Sequence, residues 1–326
     1  MDGSHETGAH NGLIGHTGFV GSNLARQARF ARVYNSRTIE GLGGERFDAL
    51  VCAAAPGSMF EANRDPAADR AKVHALIEQL DRVEADRFVL VSSIAVLARF
   101  DGCDDEGTSA FQTELAYGRH RRELEAFVED RFADHLIVRL PALFGEGLKK
   151  NLVFDLLNPV PSMLPAQKLA VIGEALEPPL AQMLSELYAP GALAGVAMLD
   201  RAALARHPRR GVLEAALIAM GQDAIQFHHR DTTYQYYELA RLWADIETAL
   251  AAGLTHLHCA TEPLRAADIH QRLTGRPMPE TTARLHAENM HTRHAALWGR
   301  EAPYLADAGE VLERLAVFIE QARMPA

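Results

Sequence analysis

The chain has 326 residues, 48% of them hydrophobic and 23% charged, enough for a large core in one or two domains of an ordinary globular protein. A formal net charge of -10 argues against a nucleic-acid surface, which needs clustered Lys and Arg, and no run of about 18 apolar residues offers a membrane span. Three widely spaced cysteines, Cys52, Cys103 and Cys259, suit reduced thiols in the cytosol better than a disulfide framework, and the first ten residues lack the regions of a signal peptide and read as a frayed terminus.

Residues 12–14 form the first strand candidate. A glycine then stands at every third position of Gly15-His-Thr-Gly-Phe-Val-Gly21, and Leu24, Ala25 and Ala28 carry on as an apolar helical stripe. Glycines so placed let the backbone turn sharply from strand to helix, and the amides at the helix start, aided by the helix dipole, suit a pyrophosphate. The candidates for that contact are Gly15, Thr17, Gly18, Phe19, Val20 and Gly21; a tight turn with no ligand is the plain alternative. A second strand over 31–37 ends about twenty residues after the first glycine, where a dinucleotide fold reads the adenosine ribose. Asn35, Ser36 and Arg37 stand there, with no acid before Glu40. This chemistry leans toward NADP over NAD, because Arg37 can pair with a 2′-phosphate that a carboxylate would repel. Arg37 as a solvated loop residue is the other reading.

About a dozen residues, three of them glycines, separate this strand from Phe47. They are too few for a crossover helix and another strand, so a loop or a single turn is expected. Residues 47–55 read as a buried strand ending in Ala53-Ala54-Ala55 and stopped by Pro56-Gly57. Asp65 is placed to cap a helix with Pro66 at its first position and Val73, Leu76, Ile77 and Leu80 on one face. Residues 88–93 form an apolar strand that turns polar only at Ser92-Ser93, and Tyr117 and Arg121 follow on a helix, four apart and so on one face. Another strand covers 135–140, before Pro141 and Gly145. The alternation predicts a doubly wound, mostly parallel α/β sheet with ligands beyond the carboxyl ends of its strands.

After Gly145 the alternation stops. Helical pieces at 180–188 and 213–220 lie among Pro159, Pro161, Pro165, Pro178, Pro179 and Pro190. Regularity returns with a helix over 238–251, a strand over 255–260, a helix over 266–273 and a final helix over 308–321. The expected organisation is a dinucleotide-binding Rossmann domain over 11–145, completed by about 234–260, with a smaller C-terminal substrate-binding region over 146–233 and 261–326. Lys149-Lys150-Asn151 can hold a phosphate or form a solvated pair of lysines, and Arg230, beside His228-His229, can contact substrate or lie in a loop. Tyr234, Tyr236 and Tyr237 read as packing. Read as helical, His286, His291 and His294 fan apart at about 100° per residue and do not converge on a metal.

The order Gly-x-x-Gly-x-x-Gly, strand-end alanines, Ser-Ser, Tyr-x-x-x-base and Arg-Leu-Pro-x-x-x-Gly resembles the extended short-chain dehydrogenase/reductases, the NAD-dependent epimerase/dehydratase family. The resemblance extends to Tyr234-Gln-Tyr-Tyr-Glu-Leu-Ala and to His256-Leu-His-Cys-Ala-Thr-Glu-Pro263, and is weak between about 160 and 230. It implies that Ser93 polarises a substrate oxygen, that Tyr117 moves its proton, and that the residue four further on lowers the tyrosine pKa and binds the nicotinamide ribose. It also implies cofactor contacts from Ala53, Ala54, Ala55, Ser92, Tyr117, Arg121 and Pro141, and substrate contacts from Ser93, Lys150, Asn151 and Arg230. The implied substrate is a sugar or sugar nucleotide, and the helix bearing Tyr117 often pairs in a homodimer.

Two departures bear on activity. Arg121 stands where the family has Lys, and a guanidinium cannot pass a proton along a relay. Arg121 substitutes functionally, or the chain binds dinucleotide without turnover as a sensor or regulatory protein, or the Tyr117 match is fortuitous. Ile94-Ala95 follow Ser93 where dehydratases carry an Asp-Glu pair, which favours epimerisation or carbonyl/alcohol redox over loss of water.

Overall fold

The computed structural model describes residues 10–324 except 192 and 302; the terminus read as frayed, 1–9, lies outside the described residues. The chain divides into two compact units. The first takes in the chain up to Leu148 with Thr233–Leu264 and Ala287–Arg314, the second Lys149–Thr232, Arg265–His286 and the chain from Leu315 onward.

The first unit is built on β1 (Asn11–Ile14), β2 (Arg32–Tyr34), β3 (Arg46–Cys52), β4 (Glu84–Ser93), β5 (His135–Leu140) and the strand His256–His258. They form a six-stranded sheet in which β2, β1, β3, β4, β5 and His256–His258 follow in that order. Every neighbouring pair is parallel. Between β1 and β3 the chain switches direction of travel across the sheet, so the carboxyl ends of these two strands open a crevice. Both faces are covered, which is why β3 to β5 read as continuous apolar runs. Leu24 of α1 (Phe19–Gln27), Val89, Val91 and Ile246 pack on one face. Val73 and Leu80 of α3 (Pro66–Leu80), Leu124 and Val128 of α4 (Ala116–Arg131), Phe88 and Leu90 pack on the other. Consecutive residues of β4 thus serve opposite cores, as the pleat requires.

The crossover between β2 and β3 is one 3-10 turn, Ile39–Leu42, as the short spacing predicts. Asp65 accepts a hydrogen bond from the Ala68 amide at 3.0 Å with Pro66 at the helix start. A short α2 (Met59–Arg64), capped by Ser58, precedes it and has too few residues to show periodicity. The predicted strand at 47–55 ends at Cys52, and the three alanines form the loop beyond it. β6 (Ala142–Phe144) pairs in parallel with Tyr236–Glu238.

In the second unit, Met163–Pro165, Val196–Leu199 and Tyr188–Pro190 make a small antiparallel sheet. Leu164, Ile172, Leu184 and Leu213 join this sheet to the helices Ala166–Ala175, Pro178–Leu187 and Arg210–Ala219 in one core. The segment carrying His286, His291 and His294 is irregular rather than helical, so the helical spacing argument does not apply to it. Cys52 and Cys259 are buried and Cys103 exposed, all as free thiols. Among the described residues no helix is long and apolar enough to cross a membrane.

Candidate active site

At the end of β1, Gly15 takes φ +91°, and a Cβ there would meet the Ala53 carbonyl oxygen at 2.4 Å. One at Gly21 would meet the Gly15 oxygen at 2.1 Å, so α1 packs directly on the turn that precedes it. The Gly15 amide donates to Tyr34 O at 2.8 Å and the Gly18 amide to Gly15 O at 2.9 Å, which fixes the loop against β2. Gly18 occupies the N-cap position without a side-chain cap, and Thr17 and Gly18 are exposed. The first amides of α1, those of Phe19, Val20 and Gly21, have no intrahelical acceptor. This uncapped, side-chain-free cradle at the positive end of a helix fits a diphosphate.

Beyond β2, the Asn35 side chain accepts from the Arg37 amide at 2.9 Å, and the Asn35 amide donates to the Thr38 hydroxyl at 3.0 Å. The loop is therefore a built Asx turn. Its local bonds use Asn35 and leave Ser36 and Arg37 exposed.

Ser93 ends β4, and its hydroxyl accepts from the Ala95 amide at 3.2 Å, starting the turn Ile94–Val96. α4 approaches this turn closely because residue 118 is glycine: a Cβ there would meet Ala95 O at 1.9 Å. That contact brings half-buried Tyr117 alongside, near enough to the Ser93 hydroxyl for the serine to pull its phenol pKa down. Asn63 of α2 accepts from the Tyr117 amide at 3.0 Å.

Arg121, 2% exposed, lies with its Cζ 4.0 Å from the centroid of the Tyr117 ring. Asp69 of α3, also buried, takes both ends of the guanidinium, with Nη1 at 2.5 Å and Nη2 at 2.9 Å. Nη1 also donates to the Tyr117 carbonyl at 3.2 Å and Nη2 to the Pro56 carbonyl. Every Nη hydrogen is thereby taken, and Nε is buried with no hydrogen-bond partner. His120 Nδ1 lies 2.8 Å from Asp69 Oδ2. Burial pushes the Asp69 carboxyl up, but hydrogen bonds from Arg121 and His120 outweigh it and hold it below the usual carboxylate range. Burial raises the Tyr117 phenol; Arg121 and the Ser93 hydroxyl pull the other way, Asp69 adds to the rise, and the outcome is upward.

Asp69 had no place in the sequence reading, although a signal for it exists. It sits one turn before Val73 on the apolar stripe of a predicted helix, and an acid on a buried face needs a cation to meet it.

No family model matches the sequence, and no curated protein matches it. Solved structures do. A dTDP-4-dehydrorhamnose reductase from Bacillus anthracis, in complex with NADP, superposes with a TM-score of 0.59 at 13% identity, over 96% of this chain and 98% of that one. A UDP-N-acetylglucosamine 4-epimerase from Methanobrevibacter ruminantium, in complex with UDP-N-acetylmuramic acid, gives 0.59 at 9% identity over 96% and 97%. A UDP-glucose 4-epimerase from Thermotoga maritima, with UDP-glucose, gives 0.58 at 14% identity over 96% and 98%. This chain has their fold.

Within that fold the remaining candidates fall into different surroundings. Ser92, expected at the cofactor, is buried and donates to Glu125 Oε1 at 2.6 Å. Glu125 also takes Nε of Arg139 at 3.0 Å and its Nη2 at 2.8 Å. Arg139 in turn lies 3.0 Å from His258 Nε2, and His258 Nδ1 lies 2.9 Å from the His291 carbonyl. Since a carbonyl only accepts, Nδ1 carries the hydrogen and Nε2 receives one from Arg139. Burial pushes this imidazole down to about 4, with Glu106 opposing. Ser92 thus belongs to a network that ties β4, α4 and β5 together, on the β4 face shared by Phe88 and Leu90. Pro141 is buried between β5 and β6.

Lys150, Asn151 and Arg230 belong to the second unit. Asn151, at φ 98°, caps the helix Leu152–Leu157 by accepting from Val153 N at 3.0 Å and Phe154 N at 3.2 Å. Lys150 is exposed, and Arg230 lies 3.4 Å from Glu280.

Proposed function

We propose that the protein is an NAD(P)-dependent oxidoreductase or epimerase acting on a hydroxyl or keto carbon, with a sugar or sugar nucleotide as substrate and NADP favoured over NAD. One observation carries this reading, a continuous line of contact along the carboxyl rim of the sheet. The Gly15 turn lies against Ala53, Pro56 binds Arg121, Arg121 covers the Tyr117 ring, and Gly118, beside Tyr117, packs on the turn that Ser93 starts. A phosphate cradle and a phenol–hydroxyl pair stand at the two ends of that line. The relatives in fold support the chemistry: the reductase was crystallised with NADP and the epimerases with UDP-linked sugars.

The roles follow from the groups present. The uncapped amides of α1 hold a diphosphate. Arg37, exposed next to the β2 turn, pairs with a 2′-phosphate. A bound nicotinamide supplies or accepts hydride. Ser93 and Tyr117 fix the substrate oxygen from two sides, and the phenol moves its proton. Ile94 and Ala95, both buried, offer no acid beside Ser93 for the elimination of water. Lys150, Asn151 and Arg230, all in the second unit, supply substrate contacts.

The purified protein should bind NADPH by calorimetric titration and consume it on a panel of keto sugars and sugar nucleotides. Tyr117→Phe should keep binding and lose turnover by about a hundredfold or more. Binding without turnover on every substrate, unchanged in that variant, leaves the non-catalytic sensor as the correct reading.

A further inference from the structure

The family resemblance puts a lysine four residues after the tyrosine, and the arginine that replaces it here is not simply a second way to reach the ribose. Its Nη hydrogens all end on protein acceptors, two of them on the Asp69 carboxylate. α3 presents Asp69 from a fully packed position, 5% exposed, and the two-point pair holds the guanidinium carbon over the phenol ring, 4.0 Å from its centroid. A cation above a ring face is held by the ring's quadrupole whether or not the hydroxyl is ionised. The charge of Arg121 still draws on the phenolic proton, and Asp69 beside it works against that pull. The charged groups that face the phenol are Arg121 from α4 and Asp69 from α3. α2 presents uncharged Asn63, the turn after β4 presents Ser93, and His120 is bonded to Asp69.

We propose that Asp69 is a positioning residue that locks Arg121 against the Tyr117 ring and offsets part of its charge, so that the resting phenol keeps its proton and is poised to give it to a carbonyl oxygen. This rests on the proposed function for its substrate and reductant, though not for the state of the phenol. In the reductive direction a reduced nicotinamide gives the hydride, with its electron pair, to the carbonyl carbon. The C=O π pair moves onto oxygen, which takes the phenolic proton, and the phenolate regains a proton from water. Oxidation of an alcohol would need the phenolate first, and Asp69 disfavours it. Burial is the main reason the phenol holds its proton more tightly than free tyrosine, and Asp69 adds to it against the pull of Arg121.

The test is an ultraviolet phenolate titration of the unliganded protein, taken as the difference between wild type and Tyr117→Phe to isolate one ring. In wild type, Tyr117 should ionise above the ordinary tyrosine value of about 10. In Asp69→Asn the freed guanidinium should bring it down by about one unit or more. With substrate and cofactor present, the pH profile of alcohol oxidation should shift down by about the same one unit. If Asp69→Asn does not fold, Arg121→Lys serves the same end. An ammonium cannot make the two-point pair over the ring, and the phenol should again fall. Asp69→Asn/Arg121→Met, which removes both charges, should titrate no lower than wild type. A wild-type Tyr117 that ionises at or below the ordinary value, or one that is unmoved in the folded single variants, overturns the proposal. Failure to bind NADPH would overturn the proposed function and leave the phenol result standing.

Discussion

Replacing Gly21 by Ala and, separately, Gly18 by Ala should separate the folding role of the glycine turn from its ligand role. A Cβ at Gly21 would lie 2.1 Å from Gly15 O, 2.6 Å from Gly15 C and 3.0 Å from His16 N, whereas ordinary contact begins at 3.4 Å. All three atoms are backbone, and the Gly15 oxygen is already held by the Gly18 amide at 2.9 Å. The helix must therefore withdraw by more than an ångström, at a cost of about 1–3 kcal/mol for overpacking. At Gly18 the nearest atom would be Gly15 O at 3.3 Å, which a shift of tenths of an ångström relieves. The cost there is the loss of a tolerated N-cap, on the order of 0.5 kcal/mol. A methyl on this exposed residue stands where the first amides of α1 open to solvent, so it should weaken dinucleotide binding by about tenfold, some 1.4 kcal/mol. Urea unfolding measures the first effect and calorimetric titration with NADPH the second. If Gly21→Ala is as stable as wild type, the close packing is wrong; if Gly18→Ala binds NADPH unchanged, no diphosphate rests on this turn.

Arg37→Ala should weaken NADP binding by about tenfold or more and leave NAD nearly untouched, because a charge-assisted contact to the 2′-phosphate is lost; equal losses for both would remove that assignment. Stability should also fall with acid through His258. Its folded value of about 4 lies below the free value of 6.5, so the unfolded chain binds the proton first. The stabilisation is complete above pH 6.5 and drains as pH drops toward about 4, on the order of 3 kcal/mol in all. Urea midpoints across that window should show the slope, and His258→Asn should flatten it. A flat wild-type curve counts against a neutral, Arg139-bonded ring.

The framework was readable because its signals are local. Glycine spacing, strand-end alanines, the Asp65–Pro66 helix start and the shortened crossover each depend on a few adjacent residues. The small strands of the second unit, three or four residues each, are too short to alternate visibly, and their cohesion comes from helices far away in sequence. Adjacent serines at a strand end look alike in sequence, yet the pleat sends one toward Glu125 while its neighbour begins the next turn. The partner of Arg121 was invisible since it stands 52 residues away, on a helix whose apolar stripe had been read for its hydrocarbons alone.

The closeness of α4 to the end of β4 is what turns these parts into one site. Gly118 lets Ala95 O approach where any side chain would block it, and the flanking Tyr117 and Arg121 are set at once by that single contact. Arg121 then reaches Asp69 and Pro56, which couples the sheet rim beyond β3 to the phenol beside β4. A buried guanidinium without its carboxylate costs about 3–5 kcal/mol, so neither member of the pair can change alone without disturbing the other. An arginine at this position and an acid on α3 are therefore one feature, joined through both carboxylate oxygens.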